Sequence, residues 1–206
     1  EALQGIWPFR PNALKGLGFD YDSGEILADL SAAGREQTIR MVLRRGQTNQ
    51  IWQNGVKKRP SELSDTLTAV LFCPDDLNLI KEGAAARRKL MDLAISQLRP
   101  GYAALISEYS RLYEHKTRIL RDYREKPSLL EMLDDFSQSL CRCTAQMIRY
   151  RASFVRRLHE EAAPIQREFS DGKEQLSLDY KTVSTVTDPF ASTNGILEEV
   201  YEHQNA

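Results

Sequence analysis

The strongest constraint on this chain is a hydrophobic period that starts at Tyr102. Tyr102, Leu105, Tyr109, Leu112, Lys116, Ile119 and Tyr123 follow one another at alternating steps of three and four. That spacing lays one stripe along a helix, as in a heptad seam. Leu133, Phe136, Leu140, Cys143, Met147, Tyr150 and Phe154 repeat the pattern, with only a short polar break, Glu125-Lys126-Pro127-Ser128, near the end of the first stripe. Short breaks join antiparallel neighbours. The expectation is a helical hairpin whose two apolar stripes face each other. Lys116 is the exception within the seam, and it either snorkels to water or sets the register. Pro164, without an amide hydrogen, is expected to kink the returning arm.

On either side of the hairpin the period drops to two. Residues 25–30, 38–43 and 49–52 alternate or run apolar over strand lengths, with Gly34, Gly46 and Asn54-Gly55 between them. Asn-Gly is a strong hairpin signal, because a type I′ turn needs positive φ at both central positions. An antiparallel meander follows, then a short helix at residues 60–63 and an apolar strand at 68–73. A first helix is expected over 83–98, stopped by Arg99-Pro100-Gly101. After Ser170-Asp171-Gly172, alternation returns at 175–183, with Leu176, Leu178 and Tyr180 on one face. A loop over 184–195 and a last helix over 196–203 close the chain. The layout is α+β: residues 1–80 a β-meander, 81–170 a helical arm, and 171–206 a return to the sheet.

Composition narrows the classes. A net charge of −1 and a hydrophobic content of 41% describe an ordinary globular chain. Charge is segregated, however, with 15 basic against 8 acidic side chains between Arg87 and Arg157. Cys73, Cys141 and Cys143 form neither a CxxC pair nor an even set, so no disulfide scaffold or zinc site is expected. No apolar run reaches the roughly 20 residues that span a bilayer. A cytoplasmic protein with no membrane partner is expected, and the start at Glu1 without Met points to a processed or trimmed product.

Catalytic constellations are weak. No G-x-x-x-x-G-K-[ST] occurs, and Gly16-Leu17-Gly18 has neither the lysine nor the following helix that a phosphate cradle needs. Residues 68–76 superficially resemble a strand delivering a carboxylate to magnesium-bound water. Pro74 intervenes, and Asp75-Asp76 sit as N-caps before a helix would. His115, His159 and His203 are scattered over separate segments, with no metal-ligand spacing. Asp134-Asp135 and Glu160-Glu161 are solvated helix faces.

The basic residues offer more. Arg87-Arg88-Lys89 is the densest cluster, although three consecutive helical positions fan over roughly 200° and cannot meet one surface. Arg149, Arg151, Arg156 and Arg157 are better placed for a nucleic-acid backbone, since Arg149 and Arg156 lie seven apart beside the seam. Arg118 and Arg121 add to the set. Tyr102, Tyr109, Tyr123, Tyr150 and Phe154 occupy seam positions, which assigns them to packing before base stacking.

From Asn54-Gly55-Val56 onward the sequence resembles the RecF family. The residues that carry the resemblance are Phe72-Cys73-Pro74-Asp75-Asp76-Leu77-Asn78-Leu79-Ile80-Lys81-Glu82-Gly83, then Arg87-Arg88 followed by Asp92, Gln97-Leu98-Arg99-Pro100 with Tyr102, and Tyr109 and Leu112 ahead of His115-Lys116. The family has R-F-L-D where this chain has Lys89-Leu90-Met91-Asp92, and Q-R-N where it has His115-Lys116-Thr117. The resemblance implies the antiparallel β-sheet portion of an ABC-type ATPase head, with an inserted antiparallel helical hairpin as lid or arm.

The resemblance also implies function. RecF proteins are SMC-like ATPases that bind ATP and Mg2+, form an ATP-dependent homodimer and bind DNA at single-strand to double-strand junctions. With RecO and RecR they help place RecA on gaps. The family's Walker A, signature and Walker B motifs are missing from these 206 residues. No cofactor and no ATPase activity are therefore expected of the chain alone, and no catalytic residue is assigned. Asp75 and Asp76 stand where the family's head gives way to its arm, which implies head-to-arm coupling. Two rivals stay open: a non-enzymatic helical module that docks a protein, and the arm of another SMC-like ATPase, such as an overcoming-lysogenization-type nuclease.

Overall fold

The computed structural model describes residues 21–32, 34–63, 66, 68, 70, 79, 81 and 83–202, and the chain divides into two compact units after Pro100. In the first unit, β1 (Ser23–Ala32), β2 (Arg35–Arg44), β3 (Gln50–Gln53) and β4 (Val56–Lys58) form one antiparallel meander in sequence order. The last of these strands is the second arm of the Asn54-Gly55 hairpin. The turn between β3 and β4 has φ of 50° at Asn54 and 78° at Gly55, the pair of left-handed residues that type I′ demands. Asn54 also closes the register. Its N–H donates to the Thr38 carbonyl and its Oδ1 accepts from the Thr38 N–H, both at 2.8 Å.

Alternation then sorts the side chains of the sheet. Ile39, Met41, Leu43 and Ile51 are buried on one face with Leu63, which comes from the 3-10 turn Pro60–Leu63, and Ile26 and Leu30 pack at the edge. The other face holds Glu25, Arg40 and Trp52. Helix α1 (Ala84–Leu98) ends where Arg99 donates its N–H to the Ile95 carbonyl at 2.8 Å, as the Arg-Pro-Gly stop requires. The strand expected over 68–73 lies outside the described residues apart from Thr68 and Val70.

The second unit is the hairpin. Helices α2 (Pro100–Asp122) and α3 (Leu133–Phe169) are separated by a turn and the 3-10 segment Pro127–Met132. Tyr102 meets Tyr150 edge-on with ring centroids 5.2 Å apart, and His115 stacks on Phe136 at 5.3 Å. Those two pairs, at opposite ends of α2, fix the antiparallel register the seams predict. Tyr102, Leu112, Ile119, Cys143 and Met147 are buried along it. Pro164 sits inside α3, which continues to Phe169 without interruption. Positive φ at Asp171 and Gly172 then ends the helix, and the Gly172 N–H reaches the Arg167 carbonyl at 2.7 Å.

The return of the chain differs from the expectation. Residues 174–183 form neither helix nor strand, and among the described residues they pair with no strand. They run antiparallel over α3 instead. Gln166 Nε2 donates to Glu174 Oε2 at 2.5 Å, and the Leu178 N–H donates to His159 Nδ1 at 3.4 Å. Helix α4 (Thr193–Glu202) continues in the same direction and buries Ile196 with Ala145, Ile148 and Val186, while Tyr180, Ala191, Leu197 and Val200 pack around them. Alternation places side chains on two faces whatever lies beneath; here the support is a helix, not a sheet.

Candidate nucleic-acid interface

On α1, Arg87, Arg88 and Lys89 are all exposed and consecutive, so they point around the helix in different directions. On α2, Arg118 and Arg121 are exposed. Arg121 is bound by its neighbour Asp122 at 2.7 Å. That hydrogen bond holds the Asp122 carboxyl below its ordinary value and raises the guanidinium further. Much of the charge of Arg121 is thereby answered locally.

On α3, Arg149, Arg156 and Arg157 are exposed and Arg151 is half-buried. Arg149 and Arg156 border a different stripe from the one the sequence pointed to. Cys141, Ala145, Ile148, Ala152 and Val155 are buried on a second face of α3, and α4 with the segment before it covers part of that face. Arg149 Nη1 reaches Thr193 Oγ1 at 3.4 Å, and the Arg156 guanidinium lies 4.8 Å from the centre of the Phe190 ring. The two arginines therefore edge the covering segment and not the seam. Their signal was present in the sequence, since positions 141, 145, 148, 152 and 155 also step by four, three, four and three.

The remaining chemistry is structural. Cys141 and Cys143 are buried thiols outside any disulfide, and burial pushes both above their ordinary values, so they stay protonated at neutral pH. Among the described residues no cluster of His, Cys, Asp or Glu could hold a metal, and no helix is long and apolar enough to cross a membrane. His115 and His159 serve packing and the covering segment. An open groove of about 670 Å3 near the end of α3 is lined by Pro164, Arg167, Asp171 and Gln175, away from the exposed arginines of mid-α3 and without a catalytic set. Gly16, Gly18, Cys73, Asp75, Asp76 and His203 lie outside the described residues.

No family model matches the chain. Curated relatives do. It is 32% identical over 164 residues to the DNA replication and repair protein RecF of Agathobacter rectalis, covering 79% of this chain and 45% of the relative. It is 30% identical over 189 residues to that of Shouchella clausii, covering 90% and 50%. This is a RecF-like chain. It spans about half the length of the curated relatives it matches. Among solved structures, the recombination mediator protein RecF-ATPrS in the RecFOR pathway matches with a TM-score of 0.86 and 24% identity, over 99% of this chain and 55% of that one. At that identity the likeness is one of fold. The α+β arrangement read from the sequence, an antiparallel meander with a helical hairpin, is the RecF-like part-fold that is found, with four strands in its sheet.

Proposed function

We propose that this chain supplies the DNA-contacting arm and part of the head of a RecF-like DNA repair and recombination mediator. The observation that carries the reading is the outward placement of Arg149, Arg156 and Arg157 on α3, within a region where basic residues outnumber acidic ones. Backbone contacts of this kind need no sequence readout and weaken with salt. Relatives named as DNA replication and repair proteins support the same direction.

In the whole protein, bound ATP with Mg2+ would join two heads and bring their arms around duplex DNA at a single-strand to double-strand junction, with RecR, RecO and RecA as partners. The nucleotide part of this reading is supported by a fold neighbour named as RecF-ATP in the RecFOR pathway. Asp75 and Asp76 would link nucleotide state to the arm; Asp76→Ala in the intact protein should weaken ATP-dependent dimerisation and DNA binding, and loss of stability alone rejects the link. The chain by itself is expected to release no phosphate from ATP, and measurable release overturns that statement.

The direct test is binding of a labelled junction DNA by this chain over a salt series. Affinity that falls steeply with salt supports the reading. A second reading, docking of a protein partner, draws on Tyr113 and Leu120, which are 55% and 48% exposed on α2. It predicts a complex almost indifferent to salt.

A further inference from the structure

Resting on the DNA reading above, we infer that one face of α3 is a strip that tracks a single phosphate backbone, and that Arg142, absent from the candidate set, is its third cation. From Phe136 to His159 the helix carries five arginines and no carboxylate, with Asp134-Asp135 and Glu160-Glu161 closing the two ends. Within that stretch a unit repeats every seven residues, a hydrogen-bonding side chain followed three positions later by arginine: Ser139 and Arg142, Gln146 and Arg149, Ser153 and Arg156. Seven residues are nearly two helical turns, so the three units stack along one side of α3 about 10.5 Å apart. Arg142, Arg149 and Arg156 are all exposed. Their row is about 21 Å long, which spans a few consecutive phosphates along one strand.

The covering segment organises the row instead of neutralising it. Phe190 lies against the guanidinium of Arg156 and Thr193 meets one nitrogen of Arg149, contacts that leave most of the five donors of each guanidinium uncommitted. Two carboxylates of that segment, Asp188 and Glu199, are turned to backbone N–H groups, those of Phe190 and Thr187, at 2.8 and 2.6 Å. Guanidinium groups held in place lose less freedom on meeting phosphate than free ones. Ser139, Gln146 and Ser153 add uncharged partners for phosphate oxygens.

The experiment measures binding of a short duplex by the full chain across a salt series, for the parent and for R142Q, R149Q and R156Q. Each substitution should flatten the slope of log K against log salt by about 0.9, the value for one phosphate contact. R45Q, a change on the sheet beside Asp22, should leave the slope as it was. Phe190→Ala keeps every charge and should lower affinity roughly threefold to tenfold at an unchanged slope. If the parent binds and the three strip variants keep its slope, the strip is overturned while the DNA reading stands. If Phe190→Ala binds like the parent, the ordering of Arg156 by the covering segment is overturned. If the parent shows no salt-dependent binding even at low salt, the DNA reading fails and the strip with it.

Discussion

Arg40 on the sheet and Arg156 on α3 both rest on an aromatic ring, at 5.1 Å from Trp52 and 4.8 Å from Phe190. They differ in what answers the charge. Arg40 Nε lies 2.6 Å from Glu25 Oε1, and that hydrogen bond holds the glutamate below its ordinary value. Arg156 sits in a helical stretch that has no carboxylate of its own. Elsewhere on the sheet unit the pattern is that of Arg40, with Arg45 beside Asp22 and Lys58 and Arg59 beside Glu62. On the sheet these four cations hold strands and turns together; on α3, Arg149 and Arg156 are exposed and meet a hydroxyl and a ring instead of a carboxylate. Arginine thus means different things on the sheet and on α3, and the partner carboxylates decide which.

Substitutions can break or sharpen that contrast. The largest effect is expected in the two cores, because α3 presents its arginines only while its second face stays buried. Ile39 and Ile196 are 1% and 0% exposed, and truncating either to alanine should cost about 2–5 kcal/mol in urea unfolding. If Ile196→Ala costs nothing, α4 does not hold that face and the arginine row loses its support. Next comes charge reversal. R149E with R156E should weaken binding of junction DNA on the order of a hundredfold at low salt, and unaltered affinity would show that α3 is as inert as the sheet.

A turn substitution follows. Gly55 has φ of 78°, a region that a side chain enters at about 1–2 kcal/mol, so Gly55→Ala should lower the urea midpoint of the sheet without touching DNA affinity. The smallest effect belongs to the sheet's own ion pair. Glu25 is ionised more readily folded than unfolded, so its contribution is present above the ordinary glutamate value and disappears as pH falls through the lower folded one. Because the pair is exposed, the stability difference between parent and E25Q should be slight near neutral pH, shrink in salt and vanish in acid. A large difference that persists in high salt would mean that the sheet depends on this pair more than its exposure allows.

Local periodicity made much of the fold legible before any coordinates. The seams at Tyr102 and Leu133 predicted two helices and their antiparallel register, and the ring pairs at either end are where that register puts them. Asn54-Gly55 specified its turn because few other dipeptides tolerate two left-handed residues in succession. Arginine positions were legible too, but their surroundings were not. Arg121 looked as available as Arg149, and the structure shows it closed on Asp122.

What the sequence determined by itself was the set of elements and the stripe on each, because hydrogen-bond geometry within a helix or strand converts spacing directly into faces. Tertiary structure decided what each stripe meets. Leu176, Leu178 and Tyr180 alternate as they would in a strand, and Ala145, Ile148 and Ala152 would suit any apolar neighbour. Only folding brought Val186, Phe190 and α4 over the second face of α3 and set Arg149 and Arg156 at the edge of that cover. Apolar burial is non-directional, and a sequence records how much surface must be covered without naming what covers it.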